Sequence, residues 1–129
     1  MVRKIVIKSS AIGEAAAELL EGKNPKTADA IWNALPIEGR ASRWGEEIYF
    51  STSVRASLEN AQEIVEVGEI AYWPPGKAVC IFFGRTPAST DDRPRAASAV
   101  NVFGKTLGQP SAFNRVRDGD KVVIERSVN

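Results

Sequence analysis

Three kinds of residue in this chain have the types and spacing to do chemistry: paired carboxylates, a lone thiol, and a set of aromatics with arginine neighbours. Glu46-Glu47 and Asp91-Asp92 are adjacent in sequence. Neighbours on a strand point to opposite faces, so neither pair can share one site as general acid and base, and both are expected as surface charges. Asp118 and Asp120 flank Gly119, which is turn chemistry. Cys80 is the single cysteine and lies inside the apolar run Val79-Cys80-Ile81-Phe82-Phe83. A nucleophilic thiol needs a neighbouring base and an electropositive, accessible setting, so Cys80 is expected to be buried and inert. The chain has no histidine. That removes histidine-ligated metals, Ser-His and Cys-His catalysis and histidine proton shuttling together. Gly84, Gly104 and Gly108 have no phosphate-loop spacing. Neither a metal nor a cofactor is expected.

What remains is Arg43, Trp44, Tyr49, Tyr72, Trp73, Phe82, Phe83 and Phe103. Phe82, Phe83 and Phe103 read first as core. Trp44 and Trp73 stand beside Gly45 and Pro74 at loop or strand ends, where a tryptophan serves as a rim or pocket wall. Arg43 is either a stacked surface partner of Trp44 or a hydrogen-bond donor into a pocket. The candidate ligand-binding set is therefore Arg43, Trp44, Tyr72, Trp73, Phe82 and Arg85. Arg85, Arg93 and Arg95 sit beside Asp91 and Asp92, so the loop is a poor nucleic-acid surface.

The elements that must position these residues can be read from the pattern. Ile5-Val6-Ile7 is a β-branched strand ending near Ser9-Ser10. Glu14 to Glu21 is ambiguous: Ala15-Ala16-Ala17 and Leu19-Leu20 favour a helix, but a strand with small residues against a partner is also possible. Asn24-Pro25 opens a helix, with Asn as N-cap and Pro at the first position. Ala28, Ile31, Trp32 and Leu35 then form one apolar stripe, which makes Trp32 a packing residue, and Pro36 ends the helix. Ile48 to Phe50, Ile64 to Val67, Ile70 to Trp73 and Lys77 to Phe83 read as strands. Pro74-Pro75 must sit outside the middle of a sheet, and the unbroken apolar run after it is the pattern of a strand covered on both faces. Arg85 to Ala97 reads as a loop, Val100 to Phe103 as a strand, and Leu107 to Arg117 as mostly irregular. Asp118-Gly119 is a hairpin-type turn before the last strand, Val122 to Ile124.

A chain of 129 residues is one domain by its length, here residues 1–129. Seventeen Lys and Arg against sixteen Asp and Glu leave a net charge of +1, so no global charge calls for nucleic acid or a membrane surface. The basic N-terminal start has too short an apolar run for a signal segment, and nothing approaches the roughly 18 apolar residues of a membrane span. A cytoplasmic location is the default expectation. Six or more short strands and one helix, about residues 25–35, make the fold mainly β, a closed or nearly closed barrel.

Three segments carry a family resemblance. Gly13-Glu14-Ala15-Ala16-Ala17-Glu18-Leu19-Leu20, followed by Asn24-Pro25-Lys26-Thr27-Ala28-Asp29, resembles the start of cyclophilins. Asn101-Val102-Phe103-Gly104-Lys105 is similar to their Val-Val-Phe-Gly-Lys strand. The stretch Gly68 to Gly76, with Ile81 to Gly84 and Ser98 to Gly104, looks like the small prokaryotic cyclophilin-like proteins of uncertain function. The resemblance implies a cyclophilin-like closed β-barrel plugged at one end by the helix. It also implies a strand for Glu14 to Leu20, with Ala15, Ala17 and Leu19 on one face.

Cyclophilins isomerise prolyl bonds with an arginine in a Phe-His-Arg motif, which donates to the prolyl nitrogen. Here that region is Gly39-Arg40-Ala41-Ser42-Arg43-Trp44. Arg43 is the catalytic candidate if the chain is an isomerase, and Arg40 stands behind it. The Gln-Gly-Gly signature is missing after Phe50. Val100 takes the place of the pocket histidine. The pocket phenylalanine falls on Val79, or on Phe82 if the register slides by three. The expectation is a binding module for a small-molecule or proline-containing peptide ligand, with Arg43, Trp44, Tyr72, Trp73 and the Arg85 to Arg95 loop at its mouth. A divergent peptidyl-prolyl cis-trans isomerase is the alternative. Neither reading involves nucleic acid or a membrane.

Overall fold

The computed structural model describes residues 2–128. Alternation builds the first hairpin. In β1 (Lys4–Ser9), Ile5, Ile7 and Ser9 are buried. They face Ala17, Ala15 and Gly13 of β2 (Gly13–Leu19) in antiparallel register. Ala17 and Leu19 are buried and Ala15 half-buried on the same face, so cross-strand pairing overrides the helix propensity of the alanine run. The last strand, β10 (Lys121–Arg126), pairs with the other edge of β1.

The helix α1 (Pro25–Ala34) starts at the expected proline. Asn24 does not cap it with its side chain. Instead its Nδ2 donates to the Val102 carbonyl and its Oδ1 accepts from the Asn60 N–H. This buried amide ties the helix start to β9 (Arg95–Thr106) and to the loop before β6 (Gln62–Ile64). Ala28 and Ile31 of the stripe are buried. Trp32 is half-buried and packs against the main core from its edge, so it is a packing residue at the rim rather than in the interior. Two guanidinium groups lie over its ring, Arg3 at 5.3 Å and Arg126 at 4.4 Å. A large amphipathic ring satisfies the stripe pattern while stacking with cations at the surface.

The central strands are β7 (Glu69–Trp73) and β8 (Ala78–Phe82), joined by a 3₁₀ turn at Pro74–Gly76. All of β8 is buried. Val79 and Ile81 enter the main core, with Ile48, Phe50, Ile70 and Tyr72. Cys80 and Phe82 enter a second cluster on the opposite face, with Val65, Ala71, Ala96, Val100 and Val102. The strand is thus covered on both sides, as the unbroken apolar run implies.

Two short strands, β3 (Ile37–Arg40) and β4 (Ser42–Arg43), give no sequence signal. β3 pairs with β10, and β4 pairs with β5 (Glu47–Ser51). The ladder runs β3-β10-β1-β2-β9-β7-β8-β5-β4, with β6 on β9. Its two ends are consecutive in the chain, linked through Ala41, but they do not pair with each other, so the hydrogen-bonded path is open. Ile64 ends β6, and Val65 to Val67 is not strand. β9 begins at Arg95, two residues before the expected loop ends. The fold is mainly β with one main helix. Among the described residues no helix is long and apolar enough to cross a membrane.

Candidate functional site

The register of β5 on β8 decides which side chains meet. Glu47 stands opposite Phe82, and Tyr49 opposite Cys80. These four therefore share one face, while Ile48, Phe50, Val79 and Ile81 share the other. Trp73 lies on the same face of β7 as Ala71, the partner of Cys80. Val100 reaches this face from β9, two residues before Val102, which pairs with Ala71. The result is a cavity of about 210 Å³ lined by Trp44, Glu47, Tyr49, Trp73, Cys80, Ala96, Ala97 and Val100.

A tight turn brings Trp44 to Glu47. Between β4 and β5 the Trp44 N–H donates to the Glu47 carbonyl at 3.0 Å, which sets the two residues across from each other. Gly45 makes the turn with φ +64°. A Cβ at that position would also lie 2.9 Å from Pro87 and 3.0 Å from the Arg85 carbonyl. Only glycine meets both demands. The Trp73 indole N–H donates to Ser98 Oγ at 2.7 Å, and its ring packs over Gly76, where a Cβ would sit 2.8 Å from it. Both tryptophans are thus held in place, and both are half-buried.

Glu47 departs from its expected role as a surface charge. Alternation does separate it from Glu46, which is exposed. Glu47 itself is 5% exposed, and its Oε1 is buried without a hydrogen-bond partner. Burial pushes its carboxyl up to about 7, partly offset by the Cys80 thiol beside it. Burial, with Glu47 next to it, pushes that thiol well above its usual value. Cys80 is therefore a buried, protonated wall residue, in line with its expected inertness.

Of the residues expected at the mouth, the fold brings Trp44 and Trp73 to the cavity. Phe82 is fully buried behind it, in the same cluster and opposite Glu47. Tyr72 is not at the cavity. It precedes Trp73 in the strand and so points to the main core, where its hydroxyl donates to the Val54 carbonyl. Val79 enters the same core, so of the two registers weighed for a pocket phenylalanine, only Phe82 falls on the cavity's face.

Arg43 does not line the cavity either. Its guanidinium makes five hydrogen bonds, to the Gly45, Asn114 and Val116 carbonyls and to Asn114 Oδ1. It also stacks over Phe83 at 5.0 Å. Arg40 is exposed and donates to the Gly119 carbonyl. Arg85 is exposed in the loop after β8. Its backbone, not its side chain, is used: the Glu46 N–H donates to the Arg85 carbonyl, and the Arg85 N–H donates to Glu46 Oε1. In the same loop Asp91 accepts from the Arg93 side chain and N–H, which holds its carboxyl down at about 2. Glu47, Tyr49, Cys80, Ala96 and Ala97 line the cavity outside the expected set. The signal available for two of them is parity with Cys80 across β5.

Three comparisons bear on this architecture. A comparison with curated protein sequences gave no match. Among solved structures, the chain is 46% identical to the hypothetical protein AF2241 from Archaeoglobus fulgidus, with a TM-score of 0.82, covering 98% of this chain and 95% of that one. McbB in complex with tryptophan shares the fold at 12% identity and a TM-score of 0.73, over 97% of this chain and 45% of that one. The cyclophilin-type peptidyl-prolyl cis-trans isomerase cgd2_1660 of Cryptosporidium parvum shares it at 12% identity and a TM-score of 0.60, over 100% and 99%. The Cyclophilin-like family model matches residues 3–125, and the chain belongs to the cyclophilin-like family.

Proposed function

We propose that this chain is a binding module for a small apolar or proline-containing ligand and has no efficient prolyl isomerase chemistry. The observation that carries this reading is the cavity itself. Its volume of about 210 Å³ suits a small ring, and its walls are mostly aromatic and apolar, Trp44, Tyr49 and Trp73 with Cys80, Ala96, Ala97 and Val100, with Glu47 the one carboxylate among them. Aromatic walls with few polar groups are the usual make-up of a small-molecule site.

Isomerisation must lower a barrier of about 18–20 kcal/mol. Cyclophilins, as the sequence resemblance implies, do so with a donor aimed at the prolyl nitrogen, a preorganised electrostatic device. The Arg43 guanidinium is committed to Gly45, Asn114 and Val116 instead. Val100 on the cavity wall offers no polar group where the family carries a histidine. The scaffold supports a fixed pocket: β3 and β4 are consecutive, and Gly39 packs so tightly on Phe50 that a Cβ would sit 2.8 Å from its ring. That packing favours a barrel closed by side chains where hydrogen bonds leave off.

A protease-coupled assay on an X-Pro peptide tests the reading. The peptide should isomerise at its uncatalysed pace of tens to hundreds of seconds. Strong catalysis by the folded protein would make it an isomerase and overturn the binding-module reading.

A further inference from the structure

Glu47 is out of place in a pocket built for hydrocarbon alone. It is 5% exposed, it lines the cavity, and its Oε1 has no hydrogen-bond partner among the described residues. A buried acceptor without a donor costs free energy, so such groups are rare without a role. No arginine or lysine lines the cavity. Its remaining titratable walls are Tyr49 on the same strand and Cys80 on β8. Phe82 stands opposite Glu47 on β8, the Cys80 thiol lies beside its carboxylate, and Trp44 faces it across the turn.

We infer that the cavity takes a small protonated amine carrying an apolar group, its N–H directed at the Glu47 carboxylate and its hydrocarbon held among Trp44, Tyr49 and Trp73. The inference rests on the pocket-binding reading above and names its ligand class. Two interactions act together. Glu47 supplies the opposite charge and a free acceptor, and the ammonium N–H is the donor that its Oε1 lacks. The three aromatic walls supply π faces, which attract a cation most strongly where it is desolvated. The carboxylate is already desolvated by folding, so a cation entering the cavity relieves an existing penalty. A neutral ligand of the same shape brings no charge to offset that penalty, even where a hydroxyl donates to the carboxylate. Because burial holds the carboxyl near 7, an entering cation must displace the fraction of protons still bound at neutral pH.

The test compares cyclopentylamine with cyclopentanol, which share a ring and differ in charge. An alkylamine, like a lysine side chain, stays protonated below about pH 10. At pH 8, titration calorimetry should find the amine binding at least tenfold more tightly than the alcohol. In Glu47→Gln, checked for folding by circular dichroism, the two should bind alike. At pH 7, titration in two buffers of different ionisation enthalpy should show protons released as the amine binds, since burial raises the carboxyl's hold on its proton. That last measurement needs only the wild-type protein, so it decides the matter even if the variant does not fold. Equal affinities in the wild type, a preference that survives in Glu47→Gln, or no proton release would each overturn the inference. Binding of cyclopentanol with no advantage for the amine sinks the amine alone. If neither compound binds, the pocket-binding reading falls with it.

Discussion

The Arg43 guanidinium stacks 5.0 Å from the ring of Phe83 and is filled by hydrogen bonds to the 3₁₀ segment at Pro110–Arg115 and the residue after it. The Arg43 N–H is also held, by Asp118 Oδ1 at 2.7 Å. The residue that the family resemblance marks as catalytic is, in this chain, a clamp between the β4–β5 turn and the segment before β10.

Arg43→Ala should therefore destabilise the protein by about 2–3 kcal/mol, the scale of losing charge-assisted hydrogen bonds to carbonyls left unpaired. Arg43→Lys should recover little, because a point charge cannot reproduce the planar fork. Urea unfolding of the two variants checks this. A loss under about 0.5 kcal/mol, the size of an ordinary surface change, would show that the clamp is not structural.

Stability should fall as pH rises through the range set by Glu47. Its carboxyl titrates near the ordinary glutamate value of 4.5 when unfolded and at about 7 when folded. Between those values the unfolded state ionises while the folded state keeps its proton. The folded state then binds more protons, so stability declines with rising pH and levels off above about 7. The shift corresponds to about 3 kcal/mol. Glu47→Gln should lose this component. Unfolding free energies of both proteins at pH 5 and pH 8.5 give the difference directly, and an unchanged slope in the variant would contradict the assignment.

Gly45→Ala should cost about 1–3 kcal/mol through its left-handed φ of +64°. It should also push the Pro87 loop away, since the new Cβ would lie 2.9 Å from Pro87 Cδ. Because the same turn presents Trp44 and Glu47, ligand binding should weaken along with stability. Thermal unfolding and a binding titration on one sample check both; a variant as stable as the wild type would show that the turn relaxes freely.

Much of the scaffold was legible because its signals are local. Pro74-Pro75 and the run that follows specify the β7–β8 hairpin, and Asn24-Pro25 marks the start of α1. The site was harder, for a reason of parity. Tyr72 and Trp73 are neighbours and cannot both face the cavity; composition marked both as aromatic, and only the register with Val79 and Ala78 assigns Trp73 outward. The same rule parts Glu46 from Glu47, but it cannot say that the second carboxylate lands on a covered face. β3 and β4 were invisible because Ile37 to Arg43 has neither an apolar run nor clear alternation. Trp32 satisfied the helical stripe, yet the two arginines that stack with it come from positions 3 and 126, beyond any local pattern.

The three tryptophans allow the most direct test of the central claim. Trp44 and Trp73 line the cavity, whereas Trp32 stacks with Arg3 and Arg126 and packs against the main core. Each indole N–H gives its own cross-peak in an ¹⁵N-correlated NMR spectrum. Titration with cyclopentanol should move the Trp44 and Trp73 peaks together along one saturable curve and leave Trp32 in place. No movement of either cavity peak at millimolar ligand, or movement of Trp32 alone, would contradict a binding site at this cavity.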